Sequence, residues 1–148
     1  VELLHEETSE GSVPKFIDPK DLLGKAVTIA INQRDETART ITGIVNRFSR
    51  GDRTTRSSYY YATIVPNVWV LTQSVQSRIF QHISVPDILK KVFKGFDVDY
   101  EIQGDFKKRN FCVQYRESDF DFASRLMEEE GIYYYFDHTG TTDKMIIA

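Results

Sequence analysis

The sequence predicts a mainly β chain of the α+β class. A small antiparallel, barrel-like domain is expected over residues 1–76. A second α+β, barrel-like domain with two short helices follows over 77–148 and is incomplete at Ala148. Three observations point there. Runs of alternating or β-branched and aromatic residues recur between polar turns in the first half. Two segments in the second half instead carry a 3.6-residue apolar period, each opened by a Ser-x-x-Asp pattern and closed by glycine. Hydrophobic residues make up 41% and aromatics 13% of the 148 residues, a composition that favours packed strands over disorder.

Val1–Leu4 has the pattern of a strand tail, and 6–12 that of a polar loop. Asp18-Pro19-Lys20-Asp21-Leu22-Leu23-Gly24 reads as a helical turn ending at glycine. Val27, Ile29 and Ile31 alternate along a half-buried strand, 26–31, followed by a hairpin-type connection over 32–38. Arg39–Ser49 resumes as a strand whose phase shifts at Gly43, which predicts a bulge there. Residues 50–57 read as a loop, 58–65 as an aromatic strand, and 68–72 as a further strand after the break at Pro66-Asn67. The sum is an antiparallel meander of four or five strands.

In the second half, Ser84 and Asp87 open a helix with the buried stripe Val85, Ile88, Leu89, Val92 and Phe93, ended by Gly95. Residues 96–102 form a short strand and 103–110 a charged turn. Cys112, Val113 and Tyr115 lie in the next strand. Ser118 then caps a helix, with Asp121 completing the box and Phe122, Ala123, Leu126 and Met127 as its apolar stripe. Gly131 stops it, Ile132–Phe136 returns as strand, and 144–148 pairs after the turn at Thr139-Gly140-Thr141. Glu128, Glu129 and Glu130 fall in the helix's last turn, where the macrodipole disfavours each by roughly 0.3–1 kcal/mol if exposed. At least one is therefore expected to pair with an arginine: Arg116 or Arg125, or a basic residue of a neighbouring subunit.

Composition narrows the function classes. Formal net charge is −3, and basic and acidic side chains balance nine to nine before Ser77 and stand at ten to thirteen after it. Neither half is a nucleic-acid footprint. Arg47, Arg50, Arg53 and Arg56, backed by Tyr59–Tyr61, would suit a phosphate-and-stacking site, but a solvated hairpin loop explains them equally and the acidity favours it. The lone Cys112 excludes an internal disulfide framework, fits a reducing compartment and reads as a buried, inert thiol. His5, His82 and His138 have no metal-ligand spacing. Asp119, Asp121 and Glu128–Glu130 invite a glycosidase reading, yet capping and helix-dipole roles account for the first two. Catalytic, cofactor-binding and metal-binding residues are therefore assigned as none. No apolar run approaches the roughly 20 residues of a membrane span, and no signal-peptide pattern opens the chain. It begins with Val rather than Met, so a fragment of a longer protein is expected.

Tyr59 and Tyr61 alternate with Tyr60 and Ile64, and Tyr133 and Tyr135 with Tyr134 and Phe136. Strands apolar on both sides imply burial on both sides, within the chain or against another.

The stretches SRIFQHISVPDILKKVF (Ser77–Phe93), FCVQYRESDFDF (Phe111–Phe122) and SRLMEEEGIYYYF (Ser124–Phe136) closely resemble the valine–glycine repeat G (VgrG) spike proteins of bacterial type VI secretion systems. Related hubs occur in contractile-tailed phages. Leu23-Gly24-Lys25, Gly43-Ile44-Val45 and Val65–Leu71, where the family commonly has a Pro-Trp-rich strand, fit the same pattern. The resemblance implies a phage tail hub-like fold and a structural, non-enzymatic role. The chain would be the N-terminal base of a trimeric spike, seated on the tail-tube ring protein and carrying a piercing needle and effectors. Its place would be the bacterial cytoplasm before firing and the target cell afterwards. A phage baseplate hub is the alternative within that class, and a spike-associated cell-wall hydrolase the alternative outside it.

Overall fold

The computed structural model describes residues 2–6, 17–31, 39–53 and 57–148. The loop expected at 6–12 and the connection at 32–38 thus lie almost wholly outside the described residues. The chain forms two compact units, Val1–Pro66 and Asn67–Ala148, the division falling ten residues before the expected 76/77 boundary.

In the first unit, β1 (Glu2–Glu6), β2 (Ala26–Ile31), β3 (Arg39–Arg53) and β4 (Ser57–Val65) form one antiparallel sheet in the order β1-β4-β3-β2. This is the predicted meander, β2–β3–β4, with β1 added beside β4. Its described strands make an open sheet, not a closed barrel. The helical turn α1 (Pro19–Leu22) starts where Asp18 accepts the Lys20 N–H at 2.9 Å. It ends before Gly24, whose φ of 74° suits a residue without a Cβ. The Gly24 N–H donates to the Val45 carbonyl and the Val45 N–H to that of Lys25, which stitches the turn to β3. Inside, Tyr60 stacks on Phe48 with ring centroids 5.4 Å apart.

Two expectations fail here. Gly43 is in regular register opposite Val27, and the ladder slips two residues later, where Asn46 is the extra residue between the Val45–Ile64 and Arg47–Thr63 pairs. Glycine is needed at 43 for another reason: a Cβ would lie 2.6 Å from the Val65 carbonyl oxygen. Residues 50–53 are not loop but the end of β3, carried on past a second register shift.

The second unit opens with a 3-10 helix, Asn67–Thr72, where a strand was expected. Val68 and Leu71 are buried three residues apart, the 3-10 repeat, and Thr72 Oγ1 donates to the Trp69 carbonyl. Next come β5 (Val75–Ile83), α2 (Val85–Val92), β6 (Val98–Tyr100), β7 (Arg109–Ser118), α3 (Asp119–Glu130), β8 (Tyr134–Asp137) and β9 (Lys144–Ile147). β5 pairs antiparallel with β7. The other sheet has the order β6-β9-β8, with β6 parallel to β9 and β8 antiparallel to it. Both predicted helical stripes are buried against these sheets: Ile88, Leu89, Phe122, Ala123 and Leu126 have no exposed surface.

The two helix starts differ in detail. Ser118 Oγ accepts the Asp121 N–H at 3.0 Å and donates to the Asp121 carboxylate at 2.7 Å. Ser84 Oγ only donates to the Asp87 carboxylate, and its oxygen caps no backbone N–H. Gly131, at φ 72°, closes α3 in the left-handed conformation. Replacing Ser118 by Ala should therefore cost roughly 0.5–2 kcal/mol, and Ser84→Ala measurably less. Urea unfolding of both variants checks the ordering, and a larger loss at Ser84 would contradict it.

Candidate functional site

The β7–α3 segment concentrates most of the charged groups that sequence reasoning singled out, and ion pairs occupy Asp119, Arg125, Glu129 and Glu130. Asp119 is buried at the start of α3, where its Oδ1 accepts from Arg78 Nη2 at 2.6 Å and Gln114 Nε2 at 2.8 Å. Arg78 Nε in turn donates to Gln114 Oε1 at 2.8 Å, closing a triangle among β5, β7 and α3. Gln114 is fully buried, and its amide also donates to the Glu117 carbonyl. A buried carboxylate must be paired and hydrogen-bonded to be tolerated, and this one is.

The far end of α3 is held by arginines. Arg109 sends Nη1 to Glu129 and Nη2 to Glu130, each at 2.6 Å. Arg125 bridges Glu117 at 2.7 Å and Glu129 at 3.1 Å, and donates to the Val113 carbonyl. Pairing of the Glu128–Glu130 run with Arg125 was expected. The larger partner, Arg109, was missed because it lies twenty residues upstream and only the β7–α3 packing brings it close. Arg116 does not join; it stacks on Tyr115 from a strand bulge at φ 48°. Bonding to Arg109 holds the Glu129 carboxyl below its ordinary value of 4.5, opposite to the raised value a general acid needs.

The remaining candidates are dispersed. Cys112 is buried in β7, and burial pushes its thiol up from its ordinary range. His82 lies in β5 and His138 beyond β8, while His5 lies in β1 of the other unit. Among the described residues no three His, Cys, Asp or Glu side chains gather as a metal site. Arg47 and Arg50 stand on β3 across from Thr63 and Tyr60, and Tyr60 is packed inside, so it offers no stacking platform. Arg56 lies outside the described residues.

The β5–β7 sheet carries the feature that solubility does not explain. Its inner face gives Cys112, Gln114 and Phe80 to the core. Its outer face alternates Phe111, Val113 and Tyr115 along β7, with Ile79 opposite Val113 on β5. Phe111, Tyr115 and Ile79 are 65%, 66% and 65% exposed, and Val113 is 47% exposed. Ser77 and Gln81 lie opposite Tyr115 and Phe111 at its ends, and an exposed apolar row of this kind is a candidate interaction surface. The tyrosines at the start of β8 behave likewise: Tyr133, just before the strand, and Tyr135 within it stack on each other at 6.5 Å and stay exposed.

The family model of the phage tail baseplate hub (GPD) matches residues 2–148. The type VI secretion system spike protein VgrG1b of Pseudomonas aeruginosa is 41% identical over 130 residues, covering 86% of this chain and 18% of that protein. VgrG1c of the same organism is 44% identical over 120 residues, covering 79% and 16%. The chain thus spans under a fifth of the length of these relatives. Among solved structures, the E. coli c3393 protein aligns with a TM-score of 0.77 at 25% identity, covering 89% of this chain and 37% of that one. It is described as a type VI secretion component with structural similarity to the T4 bacteriophage tail proteins gp27 and gp5.

The Arg109 clamp makes a pH-dependent prediction. Because Glu129 titrates lower folded than unfolded, its contribution is complete above the unfolded value of about 4.5 and lost as pH falls through the lower folded one. Arg109→Leu should be less stable than the parent at neutral pH. The gap should hold down to about pH 5 and narrow below it. Urea titrations across that range test this, and a gap that persists unchanged to pH 2 would contradict it.

Proposed function

The chain belongs to the phage tail baseplate hub family, and from that premise we propose that it is the N-terminal base of a trimeric type VI secretion spike. In this reading the base seats on the ring protein of the tail tube. The remainder of the intact protein supplies the piercing needle and carries effectors, and the assembly waits in the bacterial cytoplasm until it is fired into a target cell. The outer face of β5–β7 is buried in that assembly against a second copy. The observation that carries the proposal is the row Phe111, Val113, Tyr115 and Ile79, apolar and exposed on one chain. The identity to two spike proteins, 41% and 44%, supports the choice of machine.

Work of this kind needs stiffness. A spike base transmits force, so its charged groups are used best in ion pairs that lock helices to strands, as at Arg78–Asp119 and Arg109–Glu129–Glu130. The family match favours a phage baseplate hub equally as a kind of machine; docking on a secretion tube ring rather than a phage tube protein separates the two. A cell-wall hydrolase would cleave peptidoglycan, and these paired carboxylates give no support to that reading.

The test is the mass of the intact protein by sedimentation equilibrium. The parent should be a trimer, and Phe111→Asp with Val113→Lys should shift it to smaller species while the 148-residue chain bearing the same changes keeps its circular dichroism. A strictly monomeric intact protein would contradict the spike reading. A trimer untouched by the double change would contradict the assignment of this face.

A further inference from the structure

One acid at the C-terminal end of α3 is left over. Arg109 and Arg125 occupy Glu129 and Glu130, but no ion pair among the described residues reaches Glu128. The helix end around it is negative by construction: the last turn holds three carboxylates and no basic residue, and the macrodipole adds its own negative pole. Glu128 lines a pocket of about 230 Å³ together with Ser124, Met127, Ile132, Tyr133 and Tyr134. Met127 and Ile132 are buried and make an apolar floor, whereas Tyr133 and Tyr134 stand exposed at the wall.

We propose that this pocket receives an arginine side chain from a neighbouring protein chain. A carboxylate beside aromatic rings is complementary to a cation: the ring faces carry negative quadrupole density, and the carboxylate supplies a charge-assisted hydrogen bond. The volume suits a guanidinium with its adjoining methylenes and is smaller than the roughly 300–1,000 Å³ of pockets that take larger ligands. Arginine is preferred over lysine because its planar head stacks on a tyrosine while its fork meets a carboxylate with two donors. A divalent metal is a poor match, since one carboxylate falls short of the six or more oxygens such an ion gathers.

The pocket is testable on the 148-residue chain alone, so its failure is distinguishable from failure of the spike reading. Titration with N-methylguanidinium, followed by backbone amide NMR, should give saturable shifts at Ser124, Glu128 and Ile132–Tyr134. Methylurea, the uncharged shape mimic, should give none, and methylammonium should bind more weakly. Glu128→Gln should weaken binding at least about tenfold. Its thermal unfolding should be unchanged, because Glu128 is paired to nothing within the described chain; Tyr133→Ala provides a second variant with the same expected loss. Shifts that are absent, spread over the acidic surface, or unaltered by Glu128→Gln would overturn the proposal. Equal binding of methylammonium would overturn the preference for arginine.

Discussion

The second unit depends on one buried charge. Asp119 stands where β7 turns into α3 without a linking loop, so its carboxylate enters the interior as the chain changes structure. An unpaired carboxylate there would be prohibitive. Arg78 from β5 and Gln114 from β7 meet it together, and one polar knot thereby fixes strand to strand and both to the helix. At the opposite end of α3, Arg109 and Arg125 perform the same task with exposed groups, where each pair contributes less. Between these two fastenings the stripe Phe122–Met127 is held on the inner face of the sheet. The strand alternation then leaves no choice: Phe111, Val113 and Tyr115 point out.

Much of this was legible in the sequence, and for local reasons. The Ser118 cap, the glycine at 131 and the 3.6-residue stripes of 84–95 and 118–131 depend on neighbours a few residues away, and the structure has them as expected; Ser84 stands at its helix start but caps no backbone N–H. The losses come from contacts between distant segments. Arg109 was missed as the clamp because nothing local to it mentions Glu129 or Glu130. The parallel pairing of β6 with β9 joins segments more than forty residues apart, and no turn signal announces it. Strand β5 is hard to read from the sequence because polar residues, Gln76, Ser77, Arg78, Gln81 and His82, interrupt its apolar alternation.

Two misreadings have a different origin. Val68-Trp69-Val70 has strand-forming composition, but the burial of Val68 and Leu71 follows a period of three, and packing overrides propensity. At Gly43 glycine was read as a bulge signal, whereas it serves the close approach of the Val65 carbonyl, and the bulge falls on Asn46. The prediction of strands apolar on both sides proved the more useful for function. Tyr60 satisfies it internally against Phe48, while among the described residues Tyr133 and Tyr135, like the outer face of β5–β7, stand exposed.

With α3 fastened on the inside, the apolar residues of β7 face outward, and the proposed cover for them is another chain. Hydroxyl-radical footprinting reads this most directly, comparing the 148-residue chain with the intact protein in its assembled form. Oxidation of Phe111 and Tyr115 should fall sharply in the assembly, while Tyr60, already buried, stays low in both. Equal and high oxidation of Phe111 and Tyr115 in the two samples would contradict the account.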